Sequence, residues 1–134
     1  MNFITGINST ASALQAEKTR MDVVAENIAN AHTTRDANGE AYKRKVVSFQ
    51  TALDASTGST GVRVSKISDD TTPGDVIHDP QHPHADKDGM VQMPNVNTAM
   101  EMVDLISASR AYEANLSVAR NARQMATKAL SIGR

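Results

Sequence analysis

Cysteine and tryptophan are absent from the 134 residues, and the only aromatic side chains are Phe3, Phe49, Tyr42 and Tyr112. The first absence excludes disulfides, zinc-thiolate centres and thiol chemistry, and leaves the redox compartment open. The scarcity of large rings removes the side chains that usually anchor a small single core. Charge of one sign is not in excess either, with a formal net charge of −1. No basic face is interleaved with stacking aromatics, so nucleic-acid binding is not expected. Continuous apolar runs long enough to span a bilayer are lacking, so direct membrane insertion is not expected. The first fifteen residues, MNFITGINSTASALQ, have neither a basic n-region nor an apolar h-region, so a cleaved Sec-type signal is not expected.

What is present is periodicity at both ends. From the N-terminus, Ile4, Ile7, Ala11, Leu14, Met21, Ala25 and Ile28 recur in 3,4 spacing, broken only by Lys18. That spacing predicts a helix with a heptad seam over residues 3 to 30, about 42 Å long. Gly6 and the Asn8-Ser9-Thr10 run weaken its first turns. A second helix is signalled from about Asn97, with Thr98 and Glu101 at capping-box spacing, to about Ile132, where Gly133 can end it.

Two adjacent stripes mark that second helix. One contains Met102, Leu105, Ser109, Tyr112, Leu116, Ala119, Arg123, Ala126 and Leu130; the other contains Asp104, Ala108, Ala111, Asn115, Val118, Ala122, Met125 and Ala129. Together they predict a wide, shallow, alanine-rich face suited to close approach by more than one neighbour. The rest of the chain has little apolar surface with which to cover it.

Between the periodic ends, YKRKVVSF at 42 to 49, GVRVSKI at 61 to 67, DVIH at 75 to 78 and GMVQM at 89 to 93 read as short strands. Turn clusters separate them, and the loop around Ser56 to Thr60 is expected to be the most mobile. No internal repeat is expected. The fold class is therefore α+β and mainly α, with the terminal helices pairing as a coiled-coil-like, up-and-down hairpin around a small, irregular β-rich element. The organisation divides as 1–31 for the N-terminal helix of a helical core, 32–95 for the central β and loop region, and 96–134 for the C-terminal helix of the same core.

Candidate chemistry is sparse. His78, His82 and His84 lie near Asp79, Asp86 and Asp88, a composition that could ligate a divalent metal, but Pro80 and Pro83 stiffen the loop and favour an open, solvated turn. HADKDGMVQMPN grazes the EF-hand pattern and fails at its ends, where His84 stands first and Asn95 stands in place of the bidentate Glu. No phosphate loop, nucleophile constellation, dinucleotide fingerprint or paired-carboxylate arrangement is present. Neither a metal, nor a cofactor, nor an enzymatic activity is expected.

Two asparagines stand out in AENIANAHT. Asn30, at the end of the first helix, has the chemistry of a terminator. Asn27 lies inside the last turn beside Ile28, where a buried amide would fix register by demanding one particular partner on the facing helix or on the chain leaving the turn.

Asn27-Ile28-Ala29-Asn30, followed by Gly39 and Tyr42-Lys43, resembles the N-terminal signature of the flagellar axial family of rod, hook and hook-associated proteins. Glu101-Met102-Val103-Asp104-Leu105-Ile106-Ser107-Ala108-Ser109-Arg110-Ala111-Tyr112-Glu113-Ala114-Asn115 is similar to its C-terminal signature. Asp79-Pro80, His82-Pro83, Ala85-Asp86, Gly89, Val91 and Met93 to Val96 resemble the proximal-rod members in particular. The resemblance implies a structural subunit of the basal-body rod in the periplasmic space, exported by the flagellar type III apparatus. It implies polymerisation with itself and other rod proteins into a drive shaft around the export channel. Subunit contacts are expected at Asn27, Ile28, Asn30, Tyr42, Met102, Leu105, Arg110, Tyr112, Asn115, Leu116, Ala122 and Leu130. A small secreted adaptor or chaperone-like helical binding module is the other class compatible with amphipathic ends and a loop-rich centre.

Overall fold

The computed structural model describes residues 3–54 and 58–132. Helix α1, Phe3–Ala29, tolerates its polar first half because hydroxyls fold back onto carbonyls of the preceding turn: Thr10 Oγ1 donates to Gly6 O at 2.9 Å and Ser12 Oγ to Ser9 O at 2.7 Å. It ends at Asn30, whose backbone N–H and side-chain Nδ2 both donate to Glu26 O, at 3.1 and 2.9 Å. Strands β1, Lys45–Asp54, and β2, Ser59–Asp69, form one two-stranded sheet. Strands β3, Val76–His78, and β4, Met90–Gln92, form a second, antiparallel, with Val76 opposite Gln92 and His78 opposite Met90.

Helix α2, Thr98–Ile132, is capped by Asn97, whose Oδ1 accepts from Met100 N at 3.2 Å and whose carbonyl accepts from Glu101 N at 2.9 Å. The expected helices and four strands are therefore all found, with β1 and β2 longer than the alternation in their sequences suggests. Of the loop expected to be mobile around Ser56 to Thr60, residues 55–57 lie outside the described residues, as does the expected stop at Gly133.

The chain divides into two compact units that do not follow chain order. One comprises residues 1–21, 47–66 and 106–134; the other comprises 22–46 and 67–105. The start of α1 thus shares a unit with the end of α2, and the end of α1 shares a unit with the start of α2. Each unit thus draws on both helices, as an up-and-down arrangement requires.

The first unit has a sparse interior, in which Ala16 and Ala108 are the fully covered apolar side chains among the described residues. Here β2 approaches α1 closely: Val62 N donates to Ser12 Oγ at 3.0 Å, and a β-carbon at Gly61 would lie 2.6 Å from that oxygen. In the second unit Val23, Val24, Ala31, Tyr42 and Val91 are buried.

That unit also contains a local repeat absent from the sequence reading. Asp36-Ala37-Asn38-Gly39-Glu40 and Asp86-Lys87-Asp88-Gly89-Met90 fold alike. In each, the aspartate N–H donates to the carbonyl of the fifth residue (2.7 and 2.9 Å), the glycine N–H donates back to the aspartate carbonyl (3.1 Å in both), and the glycine has positive φ (86° and 74°). Each aspartate Oδ1 accepts from two backbone N–H groups of its own loop.

The seam on α1 is corrected by burial. Ile7, Ala11, Lys18 and Ala25 are exposed, and Leu14, Met21 and Ile28 are only half-buried, whereas Ala16, Val23, Val24 and Asn27 are the covered positions. The buried stripe is thus built from small and hydrogen-bonded residues that this chain can cover. The apolar seam expected from spacing lies mostly on the other side of the helix.

Candidate assembly site and its polar lock

Asn27 is fully buried and uses its whole hydrogen-bonding capacity. Its Nδ2 donates to Lys45 O at 2.9 Å and to Glu101 Oε2 at 3.0 Å; its Oδ1 accepts from Tyr42 OH at 2.9 Å and from Lys45 N at 2.8 Å. Two donors and two lone pairs are all an amide has, so the side chain holds the end of α1, the start of β1 and the start of α2 in one alignment. The expected partner, on the facing helix or on the departing chain, is realised in both places at once.

Glu101 is also fully buried. Its carboxylate accepts from Asn27 and, at 2.5 Å, from Arg44 Nε, and Arg44 Nη2 reaches Asp104 Oδ2 at 3.3 Å. A buried carboxylate is tolerable because one hydrogen-bonded cation and one amide surround it. Arg44 is fixed in turn through its backbone: its N–H donates to Asn95 Oδ1 at 2.7 Å and its carbonyl accepts from Asp70 N at 2.7 Å. Asn95 Nδ2 donates to Asp70 O at 3.0 Å and Thr72 O at 2.8 Å, tying the segment before α2 to the end of β2. Burial, reinforced by the negative charges of Glu26, Asp69 and Glu101, pushes the Tyr42 phenol from 10.0 up to about 12.

The other expected contact residues divide by exposure. Asn30 terminates α1, and its Oδ1 accepts from Thr33 Oγ1 at 3.1 Å. Ile28, Leu105, Tyr112, Asn115, Leu116 and Ala122 are half-buried; Asn115 Nδ2 donates to its own helix at Ala111 O, 2.9 Å away. Met102, Arg110 and Leu130 are exposed, Leu130 at 77%. Alongside them α2 exposes Met100, Val103, Ile106, Val118, Met125 and Ile132. Of these only Val118 and Met125 belong to the stripes read from spacing. Glu101 and Arg44 were missed as lock residues, because Glu101 carries a convincing local alternative as a capping-box acid and its partner lies 57 positions away.

Among the described residues no group of three His, Asp or Glu could hold a metal ion, and no helix is long and apolar enough to cross a membrane. In the loop after β3, His82 Nδ1 accepts from His84 N at 3.0 Å, and His84 Nδ1 lies 2.8 Å from Thr34 Oγ1. His82 thus serves the loop's own fold, and His84 ties the loop to the segment after α1.

Comparison with known proteins follows the same elements. Residues 7–35, containing most of α1 and Asn27, match the family described as flagella basal body rod protein; residues 87–132, from the second Asp-Gly turn through α2, match that described as flagellar basal body rod FlgEFG protein C-terminal. The chain is 41% identical to the flagellar basal-body rod protein FlgC of Bacillus subtilis over the whole of both chains. It is 39% identical to FlgC of Yersinia enterocolitica over 99% of each chain, and 40% identical to FlgC of Salmonella typhimurium over 91% of each. With a fully used asparagine lock between two terminal helices and this likeness along its whole length, the chain belongs to the FlgC family of flagellar basal-body rod proteins.

Proposed function

We propose that the chain is a structural subunit of the bacterial flagellar basal-body rod, assembling through its terminal helices with copies of itself and other rod subunits. The observation that carries this reading is the exposure along α2 of Met100, Met102, Val103, Ile106, Val118, Met125, Leu130 and Ile132, all large apolar side chains. Such an array along one helix is costly in water and stabilising once neighbours cover it. The contact residues expected from the sequence have two roles in this reading. Exposed Met102, Arg110 and Leu130 meet neighbours directly. Asn27 and Tyr42, spent on hydrogen bonds within the chain together with Glu101, which was not among the expected contacts, set the alignment of the helices that present those residues.

Contacts that repeat head to tail need not close, and so build a tube. In that tube the subunit transmits torque and surrounds the export channel. It reaches the periplasmic rod through the flagellar type III apparatus without a cleaved signal, and it carries no catalysis. The test is to express the chain in a flagellated bacterium lacking its own FlgC, score swimming and probe purified basal bodies. Restored swimming with the chain in the basal body is expected. A soluble chain that never enters basal bodies, with no restoration of motility, would overturn the proposal.

A further inference from the structure

Two surfaces of the chain complement each other in charge, length and polarity. On α2, Arg120, Arg123, Gln124, Thr127 and Lys128 line a shallow depression of about 450 Å3 whose walls are largely the aliphatic parts of these side chains. From Ile106 to Ile132 the helix carries Arg110, Arg120, Arg123 and Lys128 against Glu113 alone. Arg120 and Lys128 stand at the two ends of the depression, about 12 Å apart along the axis at a rise of about 1.5 Å per residue.

In the other compact unit, β3 presents Asp75-Val76-Ile77-His78-Asp79. Val76 and Ile77 are exposed at 53% and 42%, all three residues of the strand are exposed, and it lies in a two-stranded sheet with β4. Its bracketing aspartates are about 13 Å apart at a strand rise of about 3.3 Å per residue. Between residues 67 and 89 the chain carries six aspartates against Lys87.

Resting on the reading of the chain as an assembling subunit, we propose that the occupant of the α2 depression is β3 of a second copy, with Ile77 seated between the helix cations and Asp75 and Asp79, on the same face of the strand by its alternation, facing Arg120 and Lys128. An apolar centre with an oppositely charged rim is the anatomy of a specific interface. Because the two patches are different surfaces of one chain, the contact is head to tail and can repeat.

The absence of cysteine makes the test clean. A chain carrying Ile77→Cys and Gln124→Cys together, complementing the FlgC-deficient strain, is oxidised within purified basal bodies and separated under non-reducing conditions. Linked dimers and higher multiples are expected from the double variant, and neither single variant should form multiples beyond a dimer. In parallel, Arg120→Glu with Lys128→Glu should lower incorporation by about tenfold or more, and adding Asp75→Lys and Asp79→Lys should recover most of it. Incorporation of the double-cysteine chain without multiples would overturn the contact while leaving the rod reading intact; failure of the unaltered chain to enter basal bodies would instead remove the rod reading. Reversal that impairs incorporation without recovery in the combined variant would assign the depression to a different partner and overturn the proposal.

Discussion

At the scale of single residues, the structure depends on a few side chains with no spare capacity. Removing the Asn27 amide in Asn27→Ala leaves Tyr42 OH, the Lys45 N–H and carbonyl, and one Glu101 oxygen without their partner, at a cost of about 3 kcal/mol. Chemical denaturation of the purified chain should show that loss, with the far-ultraviolet spectrum of the folded baseline largely kept; a change below about 0.5 kcal/mol would mean that water replaces the amide freely. Tyr42 offers a second readout of the same cluster. Its folded pKa lies above its ordinary value, at about 12, so its contribution is fully present below pH 10 and is lost as pH rises from 10 through about 12. Titrating stability through that window should give a falling limb that Tyr42→Phe flattens, and an unchanged limb in the variant would place its origin elsewhere. His84 acts in the opposite direction: desolvation, then the charges of Arg35 and His82, hold its pKa below 6.5, so its contribution is present above that pH and declines as pH falls below it.

At the scale of elements, the two Asp-Gly loops show how a backbone need becomes a residue choice. Both glycines have positive φ, where a side chain costs about 1 kcal/mol or more. A β-carbon at Gly39 would meet open space, whereas one at Gly89 would lie 2.9 Å from Pro80 Cγ and 3.0 Å from His78 Cε1. Gly89→Ala should therefore destabilise the chain by about 1 kcal/mol more than Gly39→Ala, and equal midpoints in parallel urea titrations would contradict this. These loops also show what was legible beforehand. Each was readable as a turn from its own composition, but their shared hydrogen-bond pattern was hidden because the surrounding sequences differ. The helices were legible for the same local reason, since 3,4 spacing and Asn97 are signals carried within one segment. Which side of α1 this chain covers was not. Spacing locates apolar residues, and burial depends on what the same chain can bring against them, here Ala16, Val23, Val24 and Asn27. The Arg44–Glu101 pair was likewise out of reach, because it exists only once β1 and α2 have been brought together.

At the scale of the whole molecule, apolar surface is distributed in a way that a solitary chain does not need. The unit containing the start of α1 and the end of α2 covers few large side chains, while α2 displays a series of them to solvent. Under the proposed rod reading this distribution serves assembly: a polar lock aligns the helices within each subunit, and neighbours would bury the apolar side chains that remain exposed. The methionines report that burial directly. Met100, Met102 and Met125 are exposed at 62%, 54% and 54%, and Met21 and Met93 are half-buried within the chain, giving an internal reference. Brief peroxide treatment followed by mass spectrometry, applied to the purified chain and to basal bodies containing it, measures the oxidation rate at each thioether. The account predicts that Met100, Met102 and Met125 oxidise fastest in the free chain and fall by about tenfold or more in basal bodies, with smaller changes at Met21 and Met93. Equal oxidation of the three α2 methionines in both states would show that these side chains stay in water after assembly, and would contradict the account.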